Sequence, residues 1–262
     1  MTEIKQNGLV IGERELGDND KLLTILTERF GKLCVIGKGV KSVRNRHMAT
    51  TQLFSYASFG LRKRGNFYYI TDSDLIENYY DIRNDIQKLA LASYICDVVC
   101  DVTAEDKEDD EILRLTLNTL FAIAKNIKPM KIVKACFELR IASECGFMPD
   151  LAACSKCGES APKACILDIL EGVIVCDKCR KETFSTNVEN EFFPNGYQKP
   201  IVTLSISSLM AMRYVINSEQ ERFLSFNLGE DEWDDFCEAC EKYLLNQLER
   251  GFYSLDFYKT LL

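Results

Sequence analysis

The sequence predicts an α+β protein: a small five-stranded barrel at the amino end, followed by a helical domain with an inserted cysteine-rich module. Three observations predict it. Five short β-patterned runs crowd into residues 3–80. Beyond Asp85 the apolar spacing changes to that of helices. Two Cys-x-x-Cys pairs then interrupt the helical half. The 262 residues are 47% apolar, enough to bury a core and too apolar for wholesale disorder.

The first run, Ile4 to Glu13, ends in the turn chemistry of Leu16-Gly17-Asp18-Asn19-Asp20. Lys21 to Thr27 is short, apolar and partly β-branched, and a Glu28-Arg29-Phe30-Gly31 turn leads into Lys32 to Ile36. Leu53 to Arg62 and Phe67 to Ile76 flank Lys63-Arg64-Gly65-Asn66, which reads as a hairpin. Five such strands suit a small barrel or sandwich better than a helical bundle, and the OB-fold is the natural five-stranded candidate. Helical spacing follows from Asp85 to Val98, and residues 103–111 read as an acidic, solvated linker. Helices are expected over Ile112–Ile127 and Met130–Cys145, the second stopped by Gly146 and Pro149. Residues 184–200 are polar and aperiodic, with Asn195-Gly196 and Pro200. Helices resume at Ser205–Asn217, Glu219–Phe226 and Asp231–Gly251. The expected division is 1–80 for the barrel, 81–149 and 184–262 for the helical domain, and 150–183 for the cysteine module.

Cys154-Ser-Lys-Cys157 and Cys176-Asp-Lys-Cys179 are separated by 18 residues. A two-residue gap lets one tight turn aim two thiolates at one ion, and zinc takes four such donors in a tetrahedron. Lys156 and Lys178 temper the negative charge of a tetrathiolate site, and Gly172 to Val175 leads into the second pair as in a zinc ribbon. The expectation is one structural Zn2+ per chain, with no open position for catalysis. Twelve cysteines with no apolar leader in Met1 to Gln6 read as reduced thiols or metal ligands in a cytosol. Cys237 and Cys240, and Cys96 and Cys100, share helical faces and read as core packing.

The net charge of −8 hides an asymmetry. Residues 1–80 carry 12 Lys and Arg against 9 Asp and Glu, and the rest carries 20 against 31. No acidic residue lies between Glu28 and Asp72. Within that span Lys38, Lys41, Arg44 and Arg46 crowd one loop, and Arg62, Lys63 and Arg64 form the hairpin tip. Tyr56, Phe59, Phe67, Tyr68 and Tyr69 are interleaved nearby. Cations for phosphates and rings for base stacking are what nucleic-acid binding needs. The alternative for each aromatic is the barrel core. Gly37-Lys-Gly-Val-Lys-Ser42 fails the Walker pattern, because Val40 stands where glycine must precede the lysine, so no nucleotide site is expected. No run approaches the length of a membrane span.

The chain resembles the RecO family of bacterial DNA repair and recombination mediators. The resemblance is carried by Gly8-Leu-Val-Ile-Gly-Glu-Arg14, Asp20-Lys-Leu-Leu-Thr-Ile-Leu-Thr27, Gly31-Lys32 and Gly37-Lys-Gly-Val-Lys41. Phe137-Glu-Leu-Arg140 leading to Cys145-Gly146-Phe147, Cys154 and Cys157 extends it, as does Tyr243 to Arg250 with Ser254-Leu255. It implies a non-enzymatic protein that binds single- and double-stranded DNA and anneals complementary strands. It also implies partnership with RecR and with single-stranded-DNA-binding protein, helping recombinase load on gapped DNA, in the cytoplasm and at the nucleoid when bound. The family's DNA contacts match Lys38, Lys41, Arg44 and Arg46 here. The tail of single-stranded-DNA-binding protein is acidic with an apolar end and needs a basic rim beside an apolar pocket. Lys131, Lys134 and Arg140 around Phe137 and Leu139 are the candidate, against an ordinary core helix. Two rivals stand beside the mediator: a zinc-bearing assembly scaffold without DNA contact, and a nuclease holding magnesium on Glu105 to Glu111.

Overall fold

The computed structural model describes residues 3–105, 107–186 and 200–262. The polar segment 187–199, including Asn195-Gly196, lies outside the described residues, as does Asp106. The chain forms two compact units: residues up to Ile127 together with Phe252–Leu262, and Lys128–Gly251.

In the first unit β1 (Glu3–Leu16), β2 (Asp20–Thr27), β3 (Gly31–Gly37), β4 (Ser55–Arg64) and β5 (Phe67–Asn78) close a barrel in the order β1-β2-β3-β5-β4. This is the OB arrangement that five short strands predict. Closure rests on the long β1, which pairs β2 through its second half and β4 through its first. The remaining seam is short and parallel, Val35 opposite Tyr68 and Ile36 opposite Tyr69. Alternate residues point inward, so Val10, Leu23, Ile25, Leu33, Val35, Ala57, Phe59 and Leu61 make one core. Phe59, a candidate for base stacking, is a core residue.

Helices α1 (Tyr80–Arg83), α2 (Ile86–Val102) and α3 (Asp110–Lys125) follow. Asp85 caps α2 by accepting from the Gln87 and Lys88 amides, which satisfies donors a helix start leaves open. The acidic segment before α3 is strapped to the barrel rather than fully solvated. Lys32 N donates to Ala104 O (3.0 Å), and Gly31 bridges Glu105. Gly31 has φ +57, and a Cβ there would collide with the Ala104 and Lys107 carbonyl oxygens, so only glycine fits under this strap. The unit is completed by α8 (Tyr253–Lys259), which packs on α2 with Phe252 edge-on to Tyr94 at 5.7 Å. At seven residues α8 is too short to leave a periodic signature in the sequence.

The second unit centres on α4 (Met130–Glu144), with α6 (Ile206–Asn217) and α7 (Trp233–Gln247) against it. Its sheet has the order β6-β8-β7-β9, from β6 (Asp150–Cys154), β7 (Ala164–Asp168), β8 (Val173–Cys176) and β9 (Ile201–Ser205). The cysteine module thus borrows a strand from beyond residue 200. The helix expected over 219–226 is instead a pair of turns, with Arg222 N on Glu219 O and Ser225 N on Arg222 O. These tighter bonds turn Phe223 and Leu224 into the core. Among the described residues no helix is long and apolar enough to cross a membrane.

Candidate metal centre and nucleic-acid interface

Cys154 ends β6, Cys157 sits in the turn after it, Cys176 ends β8, and Cys179 lies in the first turns of α5 (Asp177–Thr186). The first turn is closed by Gly158 N donating to Cys154 O (2.9 Å) and Cys154 N to Glu159 O (2.8 Å). Gly158 has φ +76, which reverses the chain with no Cβ penalty. The second pair is carried by a strand that runs straight into a helix start, where a thiolate is favoured. The four sulfurs lie within 4.8 Å of one another. A tetrahedron with metal–sulfur bonds of about 2.3 Å has edges of about 3.8 Å. The Cys157–Cys176 separation is 3.7 Å. The residues therefore fit a metal ion, and they are the only such group of three or more among the described residues.

The local amides favour the thiolate form at Cys154, whereas Cys157 and Cys179 are raised, Cys179 chiefly by its hydrogen bond with Cys157. Burial alone would raise the Cys154 thiol, but N–H groups of Cys176 (3.3 Å), Lys156 and Cys157 bring it down to about 6. The other cysteines contrast with it. Burial pushes Cys165 up to about 11 and Cys237 up to about 12, and raises Cys96, Cys136 and Cys240. Those thiols are protonated packing groups. Cys165 faces Cys176 across β7 and β8 yet stands outside the ligand set.

The basic residues gather around β5. Arg62 is opposite Tyr69 and Lys63 opposite Tyr68, and facing cross-strand pairs share a face. Tyr68 packs against the core, so Tyr69, Arg62 and Arg64 lie on the outer face. There Lys38 Nζ and the Arg64 guanidinium each sit 5.6 Å from the Tyr69 ring centre. One ring thus joins the 38–46 loop to the hairpin tip through two cation–π contacts. Arg46 ties the loop to the next residues of β5, donating to Thr71 O (3.0 Å) and pairing with Asp72 (3.3 Å). Lys63 points to the other side, over Tyr68 at 5.3 Å. Lys41 turns toward β1 and pairs with Glu15 (3.1 Å), and Arg62 pairs with Glu3 (3.5 Å). Lys38, Arg44, Lys63 and Arg64 have no carboxylate partner among the described residues. Phe67 is exposed beside Lys38 and Arg64 on this face, while Tyr69 is half-buried and carries those two cations on its ring.

His47, the single histidine and so unable to form a histidine pair within the chain, braces this loop. Its Nε2 accepts from Arg46 Nε (3.0 Å), so the neutral ring carries its proton on Nδ1, which donates to Ser73 Oγ (2.6 Å). Ser73 in turn donates to Thr50 Oγ1 (2.6 Å), and Thr50 donates to His47 O (3.0 Å). Every donor in this ring has one acceptor. Burial, then the Arg46 charge, hold His47 below its ordinary value of 6.5, against an opposing pull from Asp72. An unfolded chain would take up the proton first on acidification, so the bracing is intact above 6.5 and is lost as pH falls through that value toward the folded one. Melting temperatures of the native protein and of His47→Ala should converge between about pH 8 and about pH 5. A constant gap would place the stabilisation elsewhere.

The partner-binding residues on α4 need correction. Phe137 and Leu139 are fully buried and offer no apolar pocket at the surface. Lys134 is buried between Glu138 (2.9 Å) and Glu241 (2.8 Å). Arg140 binds Glu144 and caps α6, donating to the carbonyls of Val215, Ile216 and Ser218. Lys131 alone is at the surface, over the Trp233 ring at 4.7 Å and paired with Asp234. Beyond its first turn the helix is largely buried, so Lys134 and Arg140 serve internal carboxylates and carbonyls. The acidic run is also not a metal site among the described residues: Asp109 is buried and pairs with Lys107, and Asp110 and Glu111 open α3.

Comparison with known proteins agrees with this architecture. Residues 1–79 match the family profile described as recombination protein O, N terminal, and residues 83–191 that of its C terminal. The chain is 31% identical to a DNA repair protein RecO of Acetivibrio thermocellus, over 100% of this chain and 98% of that protein. It is 27% identical to that of Symbiobacterium thermophilum, over 97% of this chain and 96% of the relative. It is 24% identical to that of Alkaliphilus metalliredigens, over 98% and 99% respectively.

Proposed function

The chain belongs to the RecO family of DNA repair proteins, and we propose that within it the protein is a non-enzymatic DNA-binding mediator. It holds single- and double-stranded DNA on the outer face of the barrel, anneals complementary strands, and helps load recombinase onto gapped DNA coated by single-stranded-DNA-binding protein. RecR and that coating protein are its partners, and the cytoplasm, at the nucleoid, is its place of action. One Zn2+ on Cys154, Cys157, Cys176 and Cys179 would hold the second unit's sheet together, a structural role.

The observation that carries the DNA reading is the meeting of Lys38 and Arg64 on Tyr69. It brings two basic segments, separate in sequence, together beside the exposed Phe67 ring. Phosphates bind such a surface by releasing condensed counterions, and a ring beside them stacks bases, at about 1–3 kcal/mol each. Annealing follows from the same physics. Neutralising both strands lowers their mutual repulsion, and backbone contacts leave the base edges free to pair.

The test is an annealing assay with complementary oligonucleotides, naked and coated, without nucleotide, across a salt series. Acceleration that weakens steeply with salt is expected. No binding at low salt would leave the assembly-scaffold reading in its place, and magnesium-dependent strand cleavage would make the protein an enzyme.

A further inference from the structure

We propose that Val43 is an apolar wedge that enters between stacked base pairs when the 38–46 loop meets duplex DNA. The inference rests on the DNA-binding reading above and adds a residue role to it.

A single exposed apolar side chain on a protein surface needs no explanation. Val43 is singled out by how it is held. It is 84% exposed at the apex of two consecutive turns, closed by Ser42 N on Gly39 O (3.1 Å) and Asn45 N on Ser42 O (2.9 Å). Val43 and Arg44 are the central residues of the second turn. Loops of this kind are usually mobile, but this one is braced from beneath and from both sides. Val40, three residues earlier, is buried and packs on Gly37. Gly39 N donates to Asp20 Oδ1 (2.8 Å) and Lys41 N to Asn19 O (3.2 Å). Asn45 donates to Lys38 O (3.1 Å) and accepts from His47 N (2.8 Å). Arg46 fastens the far end to Thr71 O.

The chain therefore fixes an apolar side chain in water on a rigid support. A β-branched residue is also stiff at its first side-chain torsion, so it keeps its direction. Arg44 lies directly after it with no carboxylate partner among the described residues, and Lys41 and Arg46, two before it and three after it, are paired at their tips with Glu15 and Asp72, which phosphates would displace. An apolar tip flanked by cations has the layout of side chains that enter a base step while neighbouring charges hold the phosphates on either side. Partial unstacking at that step bends the duplex and loosens its pairing locally.

The experiment uses the full-length chain and a duplex carrying a central fluorescent adenine analogue whose emission rises on unstacking. Emission is read at saturating protein, and affinity and its salt dependence are read separately. The native protein should raise emission severalfold. Val43→Ser should lose most of that rise with its salt dependence unchanged, and Val43→Ile should keep it. Thermal melts should be the same for all three, since the side chain is in solvent. Binding by the native protein without a rise in emission, or a full rise with Val43→Ser, overturns the wedge and leaves DNA binding standing. Absence of binding overturns both.

Discussion

Removing the metal, or one of its ligands, should unfold the cysteine end of the second unit's sheet. Protein purified without chelator should carry one equivalent of zinc, and Cys176→Ser should carry almost none. The expected effect is large at the cysteine end, because β6 has little pairing there, whereas β7 is paired along its length with β8 and β9 and keeps Leu167, Val202 and Leu204 in the core. The four strands are four or five residues each, and β6 pairs β8 only at Asp150 with Val173 and Cys154 with Ile174. The buried cluster at that end consists of Cys154, Cys176 and Cys179 themselves, with Val175 against them. Structural zinc in small modules supplies apparent binding free energies of about 10–16 kcal/mol, as much as the whole stability of an ordinary domain, about 5–15 kcal/mol. Without the ion, four thiolates or thiols crowd within 4.8 Å with no common partner. Circular dichroism with and without chelator, beside metal analysis, reads the result. Cys165→Ser is the control: it is buried in the same sheet but outside the ligand set, and it should keep its metal. Sub-stoichiometric zinc in a protein whose melt ignores chelator would refute the structural role.

Neutralising the unpaired cations of the barrel should cost far more DNA affinity than neutralising the paired ones. Lys38, Arg44 and Arg64 have no carboxylate partner among the described residues, so each is free to hold a phosphate. If each contacts one, the triple alanine variant should lower the slope of log affinity on log salt by about 2–3 and weaken binding about fifty- to a hundredfold at about 0.15 M salt. The matched triple of Lys41, Arg46 and Arg62 already faces Glu15, Asp72 and Glu3. Phosphate must displace those carboxylates, and the variant loses an ion pair together with a contact, so its slope should fall less. Equal losses in both triples would mean that the carboxylates do not compete with DNA. No loss in either would move the DNA off this face. Fluorescence anisotropy with a labelled oligonucleotide at several salt concentrations separates the cases.

The barrel was legible in the sequence because its information is local. Period-two runs and turn residues such as Gly17 and Gly65, both at positive φ, recur at short intervals. The cysteine pairs were legible for the same reason, since a two-residue gap is itself a geometry. Reading failed where tertiary contacts decide. The 219–226 segment has apolar spacing, yet Phe223 and Leu224 reach the core from turns. On α4 the alternation of Lys131, Lys134 and Arg140 with apolar residues suggested a wet face, but the carboxylates that bury Lys134 come from Glu138 and from Glu241 more than a hundred residues away. Nothing local to α4 announces Glu241. The bracing role of His47 was not legible because its partners Ser73 and Thr50 are brought to it only by β5 and the loop. The union of loop and hairpin on Tyr69 needed the parallel seam between β3 and β5, which no run of residues encodes by itself.

The last eleven residues, Phe252–Leu262, return to the unit that began the chain. The face of α2 that receives them is therefore uncovered on a ribosome until residues 252–262 are made, with Tyr94 awaiting Phe252. The amino-terminal unit is complete only when residues 252–262, which follow the whole second unit in sequence, are joined to it. A fragment stopped at residue 127 would carry that apolar face into water and tend to aggregate, whereas restoring the terminal segment as a separate peptide supplies its missing lid.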